Sequence, residues 1–122
     1  MARILVVDDE ILVREMLDFT LSGAGHEVTV AADGTEAIKA IKERPIDLVV
    51  ADIVMPEKDG LELITELRKI APELGIIAIS GGSRIGNFDF LAIAKSLGAR
   101  DALYKPIHND ELLESIERCL EK

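Results

Sequence analysis

Asp52 stands at the end of an apolar run, Leu48-Val49-Val50-Ala51, and Met55-Pro56 and Asp59-Gly60 mark a loop after it. A carboxylate in that place can act as a nucleophile or a metal ligand, although an Asp that only caps a loop would look the same. Other apolar runs end in equally reactive groups: Asp8 and Asp9 after Ile4–Val7, Ser80 after Gly75–Ile79, and Lys105 after Asp101–Tyr104. One acid beside a helix start is explained by the positive end of that helix. Two acids near a third repel one another and call for a cation. Oxygen ligands at a wet loop edge suit Mg²⁺, and no EF-hand loop favours Ca²⁺. Mg²⁺ would lower the charge around Asp52 and bridge to a phosphoryl oxygen. Lys105 offers a point charge for a second such oxygen and Ser80 a hydroxyl for a third. Asp52 could then attack phosphorus and become an acyl phosphate.

These residues converge only if the runs are neighbouring strands of one sheet. Leu48–Ala51 and Ile4–Val7 are continuously apolar, as strands buried on both faces are. Glu27–Ala32 alternates more and reads as an edge strand. Helical spacing lies between the strands. Glu10–Ser22 carries Leu12, Val13, Met16, Leu17 and Thr20 as its stripe, and Thr35–Glu43 carries Ala37, Ile38 and Ile41. Gly60–Ile70 carries Leu63, Ile64, Leu67 and Ile70, and Phe88–Leu97 carries Leu91, Ala94 and Leu97 after a flexible Gly81-Gly82-Ser83 turn. Asn109 is placed to cap a last helix with Leu112, Leu113, Ile116, Cys119 and Leu120 inward. A strand–helix pair repeated five times predicts an α/β fold with a doubly wound parallel sheet and right-handed crossovers. Its ligand crevice lies at the carboxyl ends of the strands.

The chain has 122 residues, which suggests one domain. Lys plus Arg number 14 against 23 Asp plus Glu, a net charge of -9, which argues against direct nucleic-acid binding. No apolar run reaches the roughly 18 residues of a membrane span, and no signal-peptide pattern opens the chain. The single Cys119 excludes an internal disulfide and, with these absences, suggests a cytoplasmic protein. His26 and His108 read as surface residues.

The pattern resembles the receiver domain of two-component response regulators, in the single-domain style of the chemotaxis regulator. The resemblance rests on Ile4-Leu-Val-Val-Asp8-Asp9-Glu10, Ala32-Asp33-Gly34-x-x-Ala37, Asp47-Leu-Val-Val-x-Asp52-x-x-Met55-Pro56-x-x-Asp59-Gly60, Ser80-Gly81, Gly98-Ala99 and Lys105-Pro106. It covers essentially the whole chain. It implies a flavodoxin-like sheet in strand order 2-1-3-4-5 and Asp52 as acceptor of a phosphoryl group from a phosphohistidine. The donor would be a histidine kinase or a histidine phosphotransfer protein. Mg²⁺ would be held by Asp9, Asp52 and the Val54 backbone carbonyl, with Asp8 acting largely through water. Ser80 and Lys105 would contact the phosphoryl group, and a cis bond would precede Pro106. A protein target would dock near the fourth helix, fifth strand and fifth helix. On this reading residues 1–122 form a receiver without an output domain. It is no turnover enzyme, catalysing only its own phosphorylation and dephosphorylation.

The pattern departs from the family at Ala102, where a switch aromatic is usual; Tyr104 is the only aromatic of that strand. Val54 and Gly82 resemble the family's positions that tune hydrolysis. Neither can orient a water, which predicts slow self-dephosphorylation. Three rivals are weaker on the residues. A Mg²⁺-dependent phosphohydrolase with an aspartyl intermediate would need an acid to activate water. A flavodoxin-like FMN carrier would want a Gly- and hydroxyl-rich loop where Asp8-Asp9-Glu10 stands. A pseudo-receiver acting by contact alone would not need the acids and lysine.

Overall fold

The structure is a computed structural model that describes residues 2–53, 60–80, 84–85 and 88–121. In chain order it runs β1 (Arg3–Val7), α1 (Ile11–Gly23), β2 (Glu27–Ala31), α2 (Gly34–Glu43), β3 (Leu48–Asp52) and α3 (Gly60–Ile70). Then follow β4 (Gly75–Ser80), β5 (Arg84–Ile85), β6 (Phe88–Asp89), α4 (Phe90–Leu97), β7 (Asp101–Tyr104) and α5 (Asn109–Glu121). Five strands pair in parallel in the order β2-β1-β3-β4-β7, which is the expected 2-1-3-4-5 arrangement. β3 and β4 are buried at every residue, and β2 is the half-exposed edge.

Alternation along each strand sends side chains to opposite faces, and each face has its own core. Leu5, Val7, Val49, Ala51, Ile76 and Ala78 meet Ala37 of α2, Leu63, Ile64 and Leu67 of α3, and Ala94 of α4. Ile4, Val6, Leu48, Val50, Ile77 and Leu103 meet Leu17 and Leu21 of α1 and Leu112, Ile116 and Cys119 of α5. Burying one Leu or Ile contributes roughly 1.5–3 kcal/mol, so these two layers dominate the stability of the sheet.

Several helix faces differ from the expectation. α1 buries Leu17 and Leu21 with Val13 packed beside them, while Leu12 and Met16 face outward. The helix carries apolar residues on more than one side, and the sheet covers only one of them. Ile70, Leu97 and Leu120 are likewise exposed, at the carboxyl ends of their helices. Neither Asp8 nor Asp9 caps α1: the N-cap residue is Glu10, with no side-chain cap bond. Asn109 is the first residue of α5, and its Oδ1 accepts a hydrogen bond from Thr20 Oγ1 at 3.2 Å, joining α5 to α1. Asp33 does cap α2, accepting from Glu36 N–H at 2.9 Å. Phe88 belongs to a strand rather than a helix, since β5 and β6 form a two-residue antiparallel pair. The expected turn at Gly81–Ser83 and the side chain of Leu91 lie outside the described residues.

Gly98 ends α4 with φ +128, a conformation that L side chains rarely adopt, and the Arg68 side chain lies against its Cα. Arg68 in turn donates to the carbonyls of Pro72 and Leu74, and Arg100 to those of Glu73 and Cys119. These two arginines bind the amino-terminal edge of the sheet together.

β7 is tied to α5 by a partly buried polar contact. Asp101 Oδ2 accepts from Ser115 Oγ and from Arg118 Nη2, each at 2.6 Å, and Oδ1 accepts from the Ala102 N–H at 2.9 Å. Burial pushes the Asp101 carboxyl up, but the bonds from Ser115, Ala102 and Arg118 together hold it below its ordinary value. A depressed carboxyl contributes stability that is present above its ordinary value, about 3.9, and is lost as pH falls through the lower folded one. Asp101→Asn should therefore cost roughly 1–2 kcal/mol at neutral pH. In urea melts taken between pH 7 and 3, its difference from the parent should shrink below about pH 4.

Candidate functional site

The register of the central strands brings the reactive residues to one edge. Asp52 is the last residue of β3 and lies opposite Ile79, one residue before Ser80 at the end of β4. Asp8 follows β1 directly, and its N–H donates to the Ala31 carbonyl at 3.1 Å. Ser80 lies opposite Tyr104, and the Lys105 N–H donates to the Ser80 carbonyl at 2.9 Å, which sets Lys105 just beyond β7. The Lys105–Pro106 bond is cis.

Asp8, Asp52 and Ser80 are buried; Asp9 is exposed at the rim. Asp8, Asp9 and Asp52 each direct a carboxylate oxygen into one space, with these atoms within 4.8 Å of one another. Three such charges repel, and Lys105 offsets part of that repulsion. Its Nζ lies 3.1 Å from Asp8 Oδ2, from Asp52 Oδ2 and from Glu10 Oε1. The contacts to Asp52 and Glu10 are hydrogen bonds; that to Asp8 Oδ2 is an ion pair without hydrogen-bond geometry. Burial pulls the Lys105 ammonium down, yet the bond to Glu10, the charge of Asp52 and the contacts to Asp8 hold it above the usual lysine range. Lys105 therefore stays charged at any physiological pH. Asp8 is fixed on its other side, since Oδ1 accepts the Glu10 N–H at 2.9 Å and its carbonyl accepts Arg14 Nη1 at 2.8 Å.

This donor set fits Mg²⁺. The oxygens are hard and anionic, and the buried Asp8 Oδ2 has no hydrogen-bond partner, an acceptor available to a cation. Val54, expected to add its carbonyl, and Gly82 lie outside the described residues.

Ala102 packs against the core shared with Ala94 and Ala78, on the α4 side of the sheet. Tyr104, two residues on, is 43% exposed on the same side. His26 is not a bare surface residue: its Nδ1 accepts the Ala2 N–H at 3.1 Å. Two features were not foreseen. Glu10 contacts Lys105 across 95 residues of sequence, and its signal was the third acid of the Asp8-Asp9-Glu10 run. The outer face of α1 carries Ile11, Leu12, Met16 and Phe19, exposed by 58%, 76%, 44% and 83%. This apolar strip begins two residues after Asp9.

Residues 4–117 match the family described as response regulator receiver domain. Chemotaxis protein CheY of Bacillus subtilis is 37% identical over 119 residues, covering 97% of each chain. Response regulator MprA of a Mycobacterium species is 38% identical over 124 residues, and the chain spans 51% of its length. The solved receiver domain protein from Clostridium thermocellum superposes with a TM-score of 0.91 at 32% identity, over 99% of this chain and 95% of that one.

Proposed function

This chain belongs to the response regulator receiver family, and from that premise we propose that Asp52 accepts a phosphoryl group from a phosphohistidine and that a protein partner reads the result. Receiver domains act between histidine kinases and downstream targets and generally bind Mg²⁺ at an acidic pocket. The observation that carries the reading is the convergence of Asp52, Lys105 and two further acids at one sheet edge. An Asp52 oxygen attacks phosphorus; the O–P bond forms as the P–N bond breaks, and the electron pair leaves on the imidazole nitrogen. Lys105 turns its ammonium to a phosphoryl oxygen, and the Ser80 hydroxyl donates to another. Asp8, Asp9, Asp52 and the Val54 carbonyl would hold Mg²⁺, which when bound supplies charge neutralisation at the phosphoryl oxygens.

A cytoplasmic location agrees with the buried free Cys119 and with the absence, among the described residues, of a helix long and apolar enough to cross a membrane. A flavin carrier or a phosphohydrolase gains no support from the site.

With Mg²⁺ and acetyl phosphate the protein should gain one phosphoryl group, labile to hydroxylamine, and Asp52→Asn should gain none. Asp9→Asn should weaken Mg²⁺ binding about tenfold or more in a titration, by loss of one anionic ligand. Labelling that persists in Asp52→Asn defeats the assignment.

The donor must lie over Asp52, and the apolar strip on α1 is the surface it would then cover. Phe19→Asp should slow transfer from a phosphorylated protein donor at least about tenfold, as loss of an interface aromatic does, and leave labelling by acetyl phosphate unchanged.

Ser80 and Tyr104 would carry the change to the surface of α4, β7 and α5, with Tyr104 taking the task that Ala102 cannot perform. Tyr104 is the sole Tyr and the chain has no Trp, so tyrosine emission reports this residue alone. Phosphorylation should alter its intensity and its access to a soluble quencher in the parent and not in Ser80→Ala.

A further inference from the structure

The ammonium of Lys105 has three N–H bonds and three carboxylate oxygens at 3.1 Å, from Asp8, Glu10 and Asp52. Two of these contacts are hydrogen bonds, to Glu10 and Asp52, and the third, to Asp8, is an ion pair. A phosphoryl oxygen that enters must compete with these carboxylates for the ammonium. Asp8 and Asp52 are buried, with side chains 1% and 5% exposed, and both line the space that would hold Mg²⁺. Glu10 is different. Its side chain is 63% exposed, so water can replace Lys105 at almost no cost. It has no capping bond to α1 and is not one of the three acids that share the cation space.

From this geometry we propose that Glu10 is a positioning residue that holds Lys105 in the unphosphorylated protein and competes with the phosphoryl group for it. The proposal rests on Asp52 being the phosphoacceptor. Glu10 is thus the contact exchanged on phosphorylation: its bond to Lys105 breaks, water takes the carboxylate, and the freed N–H turns to a phosphoryl oxygen. Removing Glu10 from reach should favour the phosphorylated arrangement, by up to about fivefold for an exposed pair.

Two variants separate contact from charge. Glu10→Asp keeps the charge on a side chain one methylene shorter; Glu10→Gln keeps the length without the charge. Beryllofluoride with saturating Mg²⁺ serves as the phosphoryl probe, its affinity read by titration. Both variants should bind it more tightly than the parent, by about two- to fivefold. In protein free of Mg²⁺, limiting acetic anhydride followed by peptide mass spectrometry should label Lys105 more in Glu10→Asp than in the parent. Altered packing of α1 alone would move neither reading. Tighter binding in Glu10→Gln alone would mean simple charge repulsion and overturn the proposal, as would an unchanged Glu10→Asp in either measurement. A parent that binds no beryllofluoride overturns the Asp52 reading and this proposal with it. A parent that binds it equally with its variants overturns this proposal alone.

Discussion

Mutual repulsion among Asp8, Asp9 and Asp52 is the constraint to which the rest of the site answers. Asp8 and Asp52 are kept from water because the strands beneath them are packed on both faces, while Asp9 stays exposed. β1 and β3 contribute Ile4–Val7 and Leu48–Ala51, all with almost no exposure. Those residues cannot move the acids apart without opening both cores. The charge must be offset in place, and Lys105 is the cation that the chain itself brings there. The Ser80 carbonyl that its N–H binds and the Asp101 contact that fixes β7 to α5 help to place this ammonium.

The same sheet explains why the chemistry sits on an open edge. A cleft of about 680 Å³ lies among Asp47, Pro72, Glu73, Arg100 and Cys119, and includes none of the acids above. That end of the sheet is bound by Arg68 and Arg100 through backbone carbonyls. Asp8, Asp9 and Asp52 lie instead at the carboxyl-end rim, with Asp9 exposed and Asp8 and Asp52 buried.

Strands that are apolar at every position were readable from the residues, and so was the meeting of Asp8, Asp9, Asp52 and Lys105. A buried strand has no alternative place for a terminal acid, and parallel order puts all carboxyl ends on one side. What escaped was set by tertiary packing. α1 has apolar residues at Ile11, Leu12, Val13, Met16, Leu17, Phe19 and Leu21, and periodicity alone cannot tell which arc meets the sheet. β5 and β6 are two residues each, too short to carry a period of two. The bond between Glu10 and Lys105, and that between Asp101 and Arg118, join residues whose neighbourhood only the fold defines.

β7 has four residues, is hydrogen-bonded along one side only, and carries Lys105 at its end, whereas the acids hang from strands paired on both sides. Edge elements open at a lower local free energy than the centre of a sheet. The acids and the lysine therefore stand on parts of unequal stiffness, and amide exchange should run faster in β7 than in β3. The cation side of the site can shift its hold by small local openings while Asp52 stays where β3 keeps it. Ranked by rigidity, this fold places its fixed charge at the centre and its adjustable charge at the margin.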